Sequence, residues 1–171
     1  MNKLIIPVLI ILAAVTRLIP HPPNFTPIIA IGLFSGTYIK NRSLAVLIPI
    51  SVMFLSDWFI GLHRTIFFVY GSLLLVVVVG MLFLNKVNIR NCSAAALSGS
   101  FLFFIITNFG VWLTSGYYPI DIDGIFTCYI LALPFFGNTI AGSLFYTALM
   151  FGGYELLKRS LAQSAMESIH K

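Results

Sequence analysis

Long apolar runs alternate with short polar connectors along the whole chain, and this pattern predicts helices that cross a membrane. A spanning helix needs about 20 mostly apolar residues to cross the ~30 Å hydrocarbon core. Six runs are candidates: Lys3 to about Ile19, Pro27 to about Ile39, Ser43 to about Leu62, Thr65 to about Leu84, Cys92 to about Ser115, and about Ile125 to Leu157. The second run is short for a span, so we expect it to be kinked, tilted or partly withdrawn from lipid. The sixth is longer than a span needs, and Pro134 and Gly137 would allow a bend.

The composition supports a membrane protein and excludes a soluble domain. Of the 171 residues, 59% are hydrophobic and 9% are charged, whereas soluble proteins carry about 25% charged residues. The mean hydropathy is +1.00. We therefore predict an all-α fold, a polytopic bundle of about six transmembrane helices. Without a linker or an internal repeat, residues 1–171 form a single integral membrane domain.

The basic residues predict the orientation of this bundle, because cytoplasmic connectors carry an excess of lysine and arginine. With the N-terminus inside, eight of the ten basic residues fall on the cytoplasmic side: Lys3, Lys40, Arg42, Lys86, Arg90, Lys158, Arg159 and Lys171. Both termini are thus predicted inside (N-in/C-in), which makes the amphipathic segment 158–171 a cytoplasmic tail. The basic residues form no patch with interleaved aromatics, so nucleic acid is not a predicted partner.

The least generic stretch runs from Arg17 to Pro27, Arg-Leu-Ile-Pro-His-Pro-Pro-Asn-Phe-Thr-Pro, and holds four of the eight prolines. Proline fixes φ, removes a donor and pushes the preceding residue towards extended geometry. The stretch is therefore predicted to be a stiff, non-helical hinge between the first two helices. Thr26 is expected to cap the next helix, with Pro27 at its first position.

In the predicted orientation, polar and aromatic side chains at membrane depth collect in the outer half, while the inner half is almost purely apolar or small. This asymmetry predicts a small-molecule site near the outer face. The candidate binding residues are Arg17, His21, Asn24, Asp57, Trp58, Asn108, Trp112, Tyr117 and Asn138. Arg17 would meet an anionic or carbonyl group of the ligand, and Asp57 would orient Arg17 or accept a ligand donor. Asn108 and Asn138 would supply paired donors and acceptors. Trp58, Trp112 and Tyr117 would stack on a ring.

Each candidate also has a structural interpretation. Arg17 and Asp57 form an ion pair that clamps two helices, or Arg17 extends to the lipid headgroups. The tryptophans and tyrosines match an interfacial aromatic belt. The asparagines can serve as hydrogen-bond donors between helices, and His21 and His63 can be rim residues, since no third metal-type residue stands near either.

Other motifs point to packing rather than to chemistry. Three pairs of small residues, four apart, are typical of close helix contacts: Gly32 with Gly36, Ala95 with Gly99, and Gly137 with Ala141. Cys92 and Cys128 are interpreted as small apolar side chains rather than as a disulfide or metal ligands. Since no span carries a nucleophile–base pair or a metal triad, we predict neither an enzyme nor a cofactor. No nucleotide-binding loop is present, so any ATP hydrolysis must come from another chain.

One local pattern carries a resemblance: Arg17-x-x-Pro20-x-Pro22-Pro23-Asn24-Phe25-x-Pro27-x-x-Ala30-x-x-Leu33-Phe34-x-Gly36. Together with the size and the predicted topology, it resembles the substrate-binding S components of energy-coupling-factor (ECF) vitamin transporters and an uncharacterised bacterial membrane family placed near them. The resemblance implies a bacterial inner-membrane protein that binds a vitamin or metal-related ligand near its outer surface. It also implies a coupling transmembrane subunit with two ATPases as partners.

The resemblance departs from the S components in the first helix, where they commonly carry an Ala-xxx-Ala docking stripe. Here Ala13 and Ala14 are followed by Val, Thr, Arg and Leu, so we expect the protein to work alone or with an unusual partner rather than on a standard coupling subunit. Two hypotheses follow. The chain is a substrate-binding subunit for uptake of a vitamin-like metabolite, or it is a scaffold subunit of an envelope complex such as the cell-shape machinery.

Overall fold

The computed structural model describes residues 5–169, with side chains described as far as residue 164. This part of the chain is all-helical, as the apolar runs predict. Its helices are α1 (Ile5–Val15), α2 (Ile28–Tyr38), α3 (Arg42–Ile60), α4 (Ile66–Phe83), α5 (Ile89–Thr114) and α6 (Ile122–Ile169), with one 3-10 turn at Thr16–Leu18. Lys3 and Lys171, which contribute to the predicted charge asymmetry, lie outside the described residues.

Helix length separates two groups. Among the described residues, α3, α4, α5 and α6 are long and apolar enough to cross a membrane. Helices α1 and α2 have 11 residues each, or about 16 Å at 1.5 Å per residue, which is well short of a ~30 Å hydrocarbon core. The predicted number of helices is therefore confirmed, whereas four of the six are long enough to span a membrane by themselves.

Helix α2 lies at the centre of the bundle, and its residues 28–36 are all buried. It contacts each of the other five helices, which suits a segment with no polar stripe. Gly36 packs on the backbone of α4 at Val77, and Gly80 of α4 packs on the backbone of Leu33. The predicted pair Gly32 and Gly36 thus marks the place where two helix backbones meet.

The other small-residue pairs differ in what they face. Gly99 lies against Ile29 of α2 and Val76 of α4, so this pair also packs inside the bundle. By contrast, Gly137 has no atom near the position of a Cβ, and Ala141 is exposed. The third pair therefore does not pack on another helix of the described chain.

The two ends of the bundle are chemically different. At the end that we call the hinge end, residues 19–27 connect α1 to α2 and residues 61–65 connect α3 to α4. At the opposite end, the tail end, the end of α2 meets the last third of α6, where the Tyr38 hydroxyl donates to Glu155 Oε1 at 2.9 Å. Phe34 packs edge-on against Phe151 and Tyr154, with ring centroids 5.3 and 5.5 Å apart.

One local expectation is wrong. Thr26 does not cap α2, because Pro27 is the capping residue and its carbonyl accepts from the Ile31 amide at 2.8 Å. Helix α6 is continuous, running through Pro134 and on to Ile169, while a bend at Pro134 and Gly137 and a cytoplasmic tail over 158–171 stay predictions. The tail residues carry good helix formers such as leucine, alanine, lysine and arginine, so nothing ends the helix at residue 158.

Candidate functional site

A polar cavity of about 330 Å³ lies at the hinge end, and we call it the hinge cavity. The 3-10 turn, the hinge, the α3–α4 connector and helices α2, α4, α5 and α6 all contribute to its wall. Its lining residues are Arg17, Asn24, Thr26, Ile28, Ile29, His63, Thr65, Val69, Phe103, Thr107, Asn108, Val111 and Thr139. A volume near the lower end of the 300–1,000 Å³ range of ligand pockets fits a small metabolite.

The hinge forms one side of this cavity because a tight turn and α6 hold it in place. The Phe25 amide donates to the Pro22 carbonyl at 3.0 Å, and Asn24 adopts a left-handed φ of 64°, which asparagine tolerates better than most residues. Asn138 Nδ2 donates to the Pro23 carbonyl at 3.0 Å. The Phe25 ring packs on Tyr146, with centroids 5.8 Å apart, so a segment without helical hydrogen bonds is nonetheless anchored.

Arg17 is fixed in the cavity wall by three partners on α3. Its Nη2 lies 2.8 Å from Asp57 Oδ1, while Nη1 donates to the Ser56 hydroxyl and lies 3.2 Å from Met53 Sδ. Asp57 is only 1% exposed, and its second oxygen accepts from the Tyr70 hydroxyl at 2.8 Å. The ion pair that the sequence suggested is therefore present, and the same arginine also lines the cavity.

Helices α5 and α6 supply the opposite wall. Asn108 Nδ2 donates to the Phe104 carbonyl at 2.8 Å. The side-chain amide oxygen of Asn108 is an acceptor that a ligand donor can use. The Thr107 and Thr139 hydroxyls donate to backbone carbonyls one turn earlier, at 2.7 and 3.1 Å. Each hydroxyl oxygen retains lone pairs that accept a ligand N–H or O–H.

The α3–α4 connector completes the rim. His63 Nδ1 lies 2.9 Å from Thr65 Oγ1, so the pair forms a small hydrogen-bonded unit at the cavity mouth. In the part of the chain that the structure describes, no three His, Cys, Asp or Glu side chains are grouped closely enough to hold a metal ion. The cavity therefore offers a fixed guanidinium donor and several acceptors, which suits binding of a polar small molecule.

Of the nine candidate residues predicted from the sequence, the structure brings four together. Arg17, Asn24 and Asn108 line the hinge cavity, and Asp57 lies directly behind Arg17. Asn138 does not line the cavity, because its amide donates to the Pro23 carbonyl and holds the hinge in place.

The remaining four candidates do not line the hinge cavity. His21 Nδ1 lies 2.6 Å from the Ile19 carbonyl at the outside of the hinge. Trp58 is 67% exposed next to Phe54, and Tyr117 is 82% exposed. The Trp112 indole donates to the Pro119 carbonyl at 2.9 Å and so closes the α5–α6 connector. The exposed Trp58 and Tyr117 lie at one end of the bundle, so they fit the interfacial aromatic belt better than ring stacking on a ligand.

Sequence reasoning missed the threonines that line the cavity: Thr26, Thr65, Thr107 and Thr139. Threonine is common in membrane helices and gives no signal alone. The spacing of Thr107 and Val111, four residues apart beside Asn108, would have marked the correct face of α5. Pairing Asn108 with Trp112 selected a neighbouring face instead.

Comparison with other proteins places the chain in a family. No curated protein and no solved structure matches the chain at a significant level. One family model matches residues 1–165, and it is described as a family of unknown function, DUF6580. Since this match covers the α1–α6 bundle and the hinge cavity, the chain belongs to the family DUF6580.

Proposed function

We propose that this chain is a membrane-embedded substrate-binding subunit and that it binds a small, vitamin-like metabolite in the hinge cavity for uptake. The observation that carries the proposal is the combination of a cavity of about 330 Å³ with an arginine whose geometry is already fixed. A preorganised guanidinium loses little conformational entropy when a ligand binds, so its hydrogen bonds contribute more to affinity.

The charges of the cavity define the ligand class. Asp57 neutralises Arg17 through one oxygen and is itself bonded to Tyr70 through the other. The remaining N–H groups of Arg17 suit a carbonyl or a single carboxylate better than a multiply charged anion. Acceptors at His63, Thr107 and Asn108 match N–H and O–H groups on the opposite edge of the ligand. A small polar heterocycle or amide with one acidic or carbonyl group satisfies both sides.

The topology that accompanies this proposal has both termini in the cytoplasm of a bacterial inner membrane and the hinge end at the periplasmic face. The tail end holds Lys40, Lys86, Lys158 and Arg159, the predominantly basic side expected to stay inside. An uptake step requires energy that this chain does not supply, and we expect it from a coupling membrane subunit with ATPases.

A scaffold role in an envelope complex is the second candidate, and a specific observation favours it. Asp57, Trp112 and Asn138 each direct a polar group to another part of the same chain. Such bonds pin the helices and the hinge without any ligand. The two roles differ in whether function depends on the residues of the cavity wall, because a scaffold does not need a binding cavity.

A substitution in that wall separates the two functions. Replacing Asn108 by alanine removes one amide from the cavity, and we expect ligand affinity to fall about tenfold or more with a change in stability of about 1 kcal/mol or less. The matched control is Asn85→Ala, which removes an amide that also donates to a nearby backbone carbonyl but lies at the tail end.

The experiment starts from tagged protein purified in mild detergent from its native host. Mass spectrometry then identifies retained small molecules and co-purifying proteins. The proposal expects a metabolite that is retained by wild type and Asn85→Ala and lost from Asn108→Ala, together with an ATPase or coupling subunit. Envelope-assembly proteins with no retained metabolite would instead establish the scaffold.

A further inference from the structure

A second cavity lies at the tail end, between the first turns of α5 and the last half of α6, with a volume of about 340 Å³. Its wall is polar at one end, where Asn88 and Arg159 lie, and apolar at the other, where Leu144 and Ala148 lie. The full lining is Val87, Asn88, Ile89, Cys92, Ser93, Leu144, Thr147, Ala148, Phe151, Gly152, Glu155 and Arg159. This polarity gradient along one groove is suited to an amphiphile.

Thr147 is the unusual residue of this groove. Its side chain is 2% exposed, yet its hydroxyl has no hydrogen-bond partner. On the same helix, the hydroxyls of Thr139 and Ser143 each donate to the carbonyl four residues earlier, at 3.1 and 2.6 Å. A buried hydroxyl without a partner is costly. Thr147 is one of the residues that line the groove, and an acceptor on a molecule bound there would satisfy its hydroxyl.

The polar end of the groove favours a negative charge. Glu155, the acid in the wall, already accepts from the Tyr38 hydroxyl at 2.9 Å and lies 3.7 Å from Lys158. Arg159 lines the groove as well, together with Asn88 and Ile89 at the start of α5, where the Asn88 side chain caps the helix by accepting from the Asn91 amide. The positive end of a helix and a nearby arginine together bind phosphate groups well.

We propose that this groove binds an anionic glycerophospholipid. Its phosphate lies between Arg159 and the N-terminus of α5, an ester carbonyl accepts a hydrogen bond from Thr147, and the acyl chain follows Leu144 and Ala148. Thr147 and Arg159 are twelve residues apart, or about 18 Å along α6. Inorganic phosphate cannot reach both groups, whereas a lipid can. The proposal does not depend on a ligand in the hinge cavity.

Lipid binding to delipidated full-length protein tests this site. Native mass spectrometry would compare binding of dioleoylphosphatidylglycerol with binding of dioleoylphosphatidylcholine. We expect the anionic lipid to bind wild type at least about tenfold more tightly, Thr147→Val to weaken it about fivefold, and Arg159→Gln to remove most of the preference. Matched controls are Thr127→Val on the exposed face of α6 and Arg42→Gln at the start of α3, both with unchanged affinity.

The valine substitution also keeps the test interpretable, because it nearly preserves the shape of threonine and removes an unpaired hydroxyl. Lipid-free Thr147→Val is expected to be at least as stable as wild type. Equal affinity of Thr147→Val and wild type for phosphatidylglycerol would overturn the proposal. Competition by millimolar inorganic phosphate as strong as that by the lipid would overturn it too, since the site would then be a phosphate site.

Discussion

Replacing Asp57 by alanine is expected to lower the free energy of unfolding by about 3–5 kcal/mol, because it leaves the Arg17 guanidinium buried without a counter-charge. The two side chains are 10% and 2% exposed, and their closest atoms are 2.8 Å apart. Tyr70 would also lose its acceptor. Denaturant unfolding in detergent micelles, followed by circular dichroism, would measure the loss.

A double replacement controls for the loss of volume. Since a buried ion pair exchanged for apolar side chains is often neutral in stability, Arg17→Met with Asp57→Leu is expected to unfold within about 1 kcal/mol of wild type. The double variant would nevertheless lose the guanidinium from the hinge cavity. An Asp57→Ala protein whose unfolding free energy stays within about 1 kcal/mol of wild type would show that Arg17 is solvated rather than paired.

Replacing Gly36 by alanine is expected to destabilise the bundle by about 3 kcal/mol or more, because the new methyl group overlaps a backbone atom. A Cβ at Gly36 would meet the Val77 carbonyl oxygen at a distance well below van der Waals contact, and one at Gly80 would lie 2.5 Å from the Leu33 carbonyl oxygen. Neither neighbour can rotate away, since both belong to helix backbones. Helices α2 and α4 would have to separate.

Gly71, on α4 itself, is the matched control for this prediction. No atom lies within 4 Å of its Cβ position, so Gly71→Ala is expected to be neutral or to stabilise the helix by up to about 1 kcal/mol. Thermal unfolding of both variants in the same detergent gives the comparison. If Gly36→Ala unfolds at the same temperature as Gly71→Ala, then α2 and α4 do not meet at Gly36 and Gly80.

The sequence predicts the helices well because apolar runs and charged connectors reflect a strong and simple constraint. The predicted ends of α3 and α4 agree with the structure within two residues, where lysine, arginine or glycine interrupts an apolar run. The burial of residues 28–36 of α2 goes beyond the expectation that this short run is partly withdrawn from lipid. Its short apolar run gives no information on how many neighbours surround it, and its central position results from the glycines that let α4 approach.

The site is less predictable because the rotation of each helix about its axis depends on packing. Arg17 and Asp57 are charged at membrane depth, so their pairing follows from a large energetic cost. Trp58 and Trp112 carry no such constraint, and packing directs the first outwards and the second to the α5–α6 connector. The cavity threonines depend on the same rotations.

Blocking the hinge cavity tests the central claim most directly. Val111 lines the cavity and Leu113, two residues later on α5, is exposed. Val111→Trp fills the cavity without changing the Arg17–Asp57 pair, and Leu113→Trp adds the same indole outside. Native mass spectrometry of the three proteins purified from the native host would show a retained small molecule in wild type and Leu113→Trp and its absence from Val111→Trp. A folded wild type without any adduct, or an adduct equally retained by Val111→Trp, would contradict a binding function for this cavity.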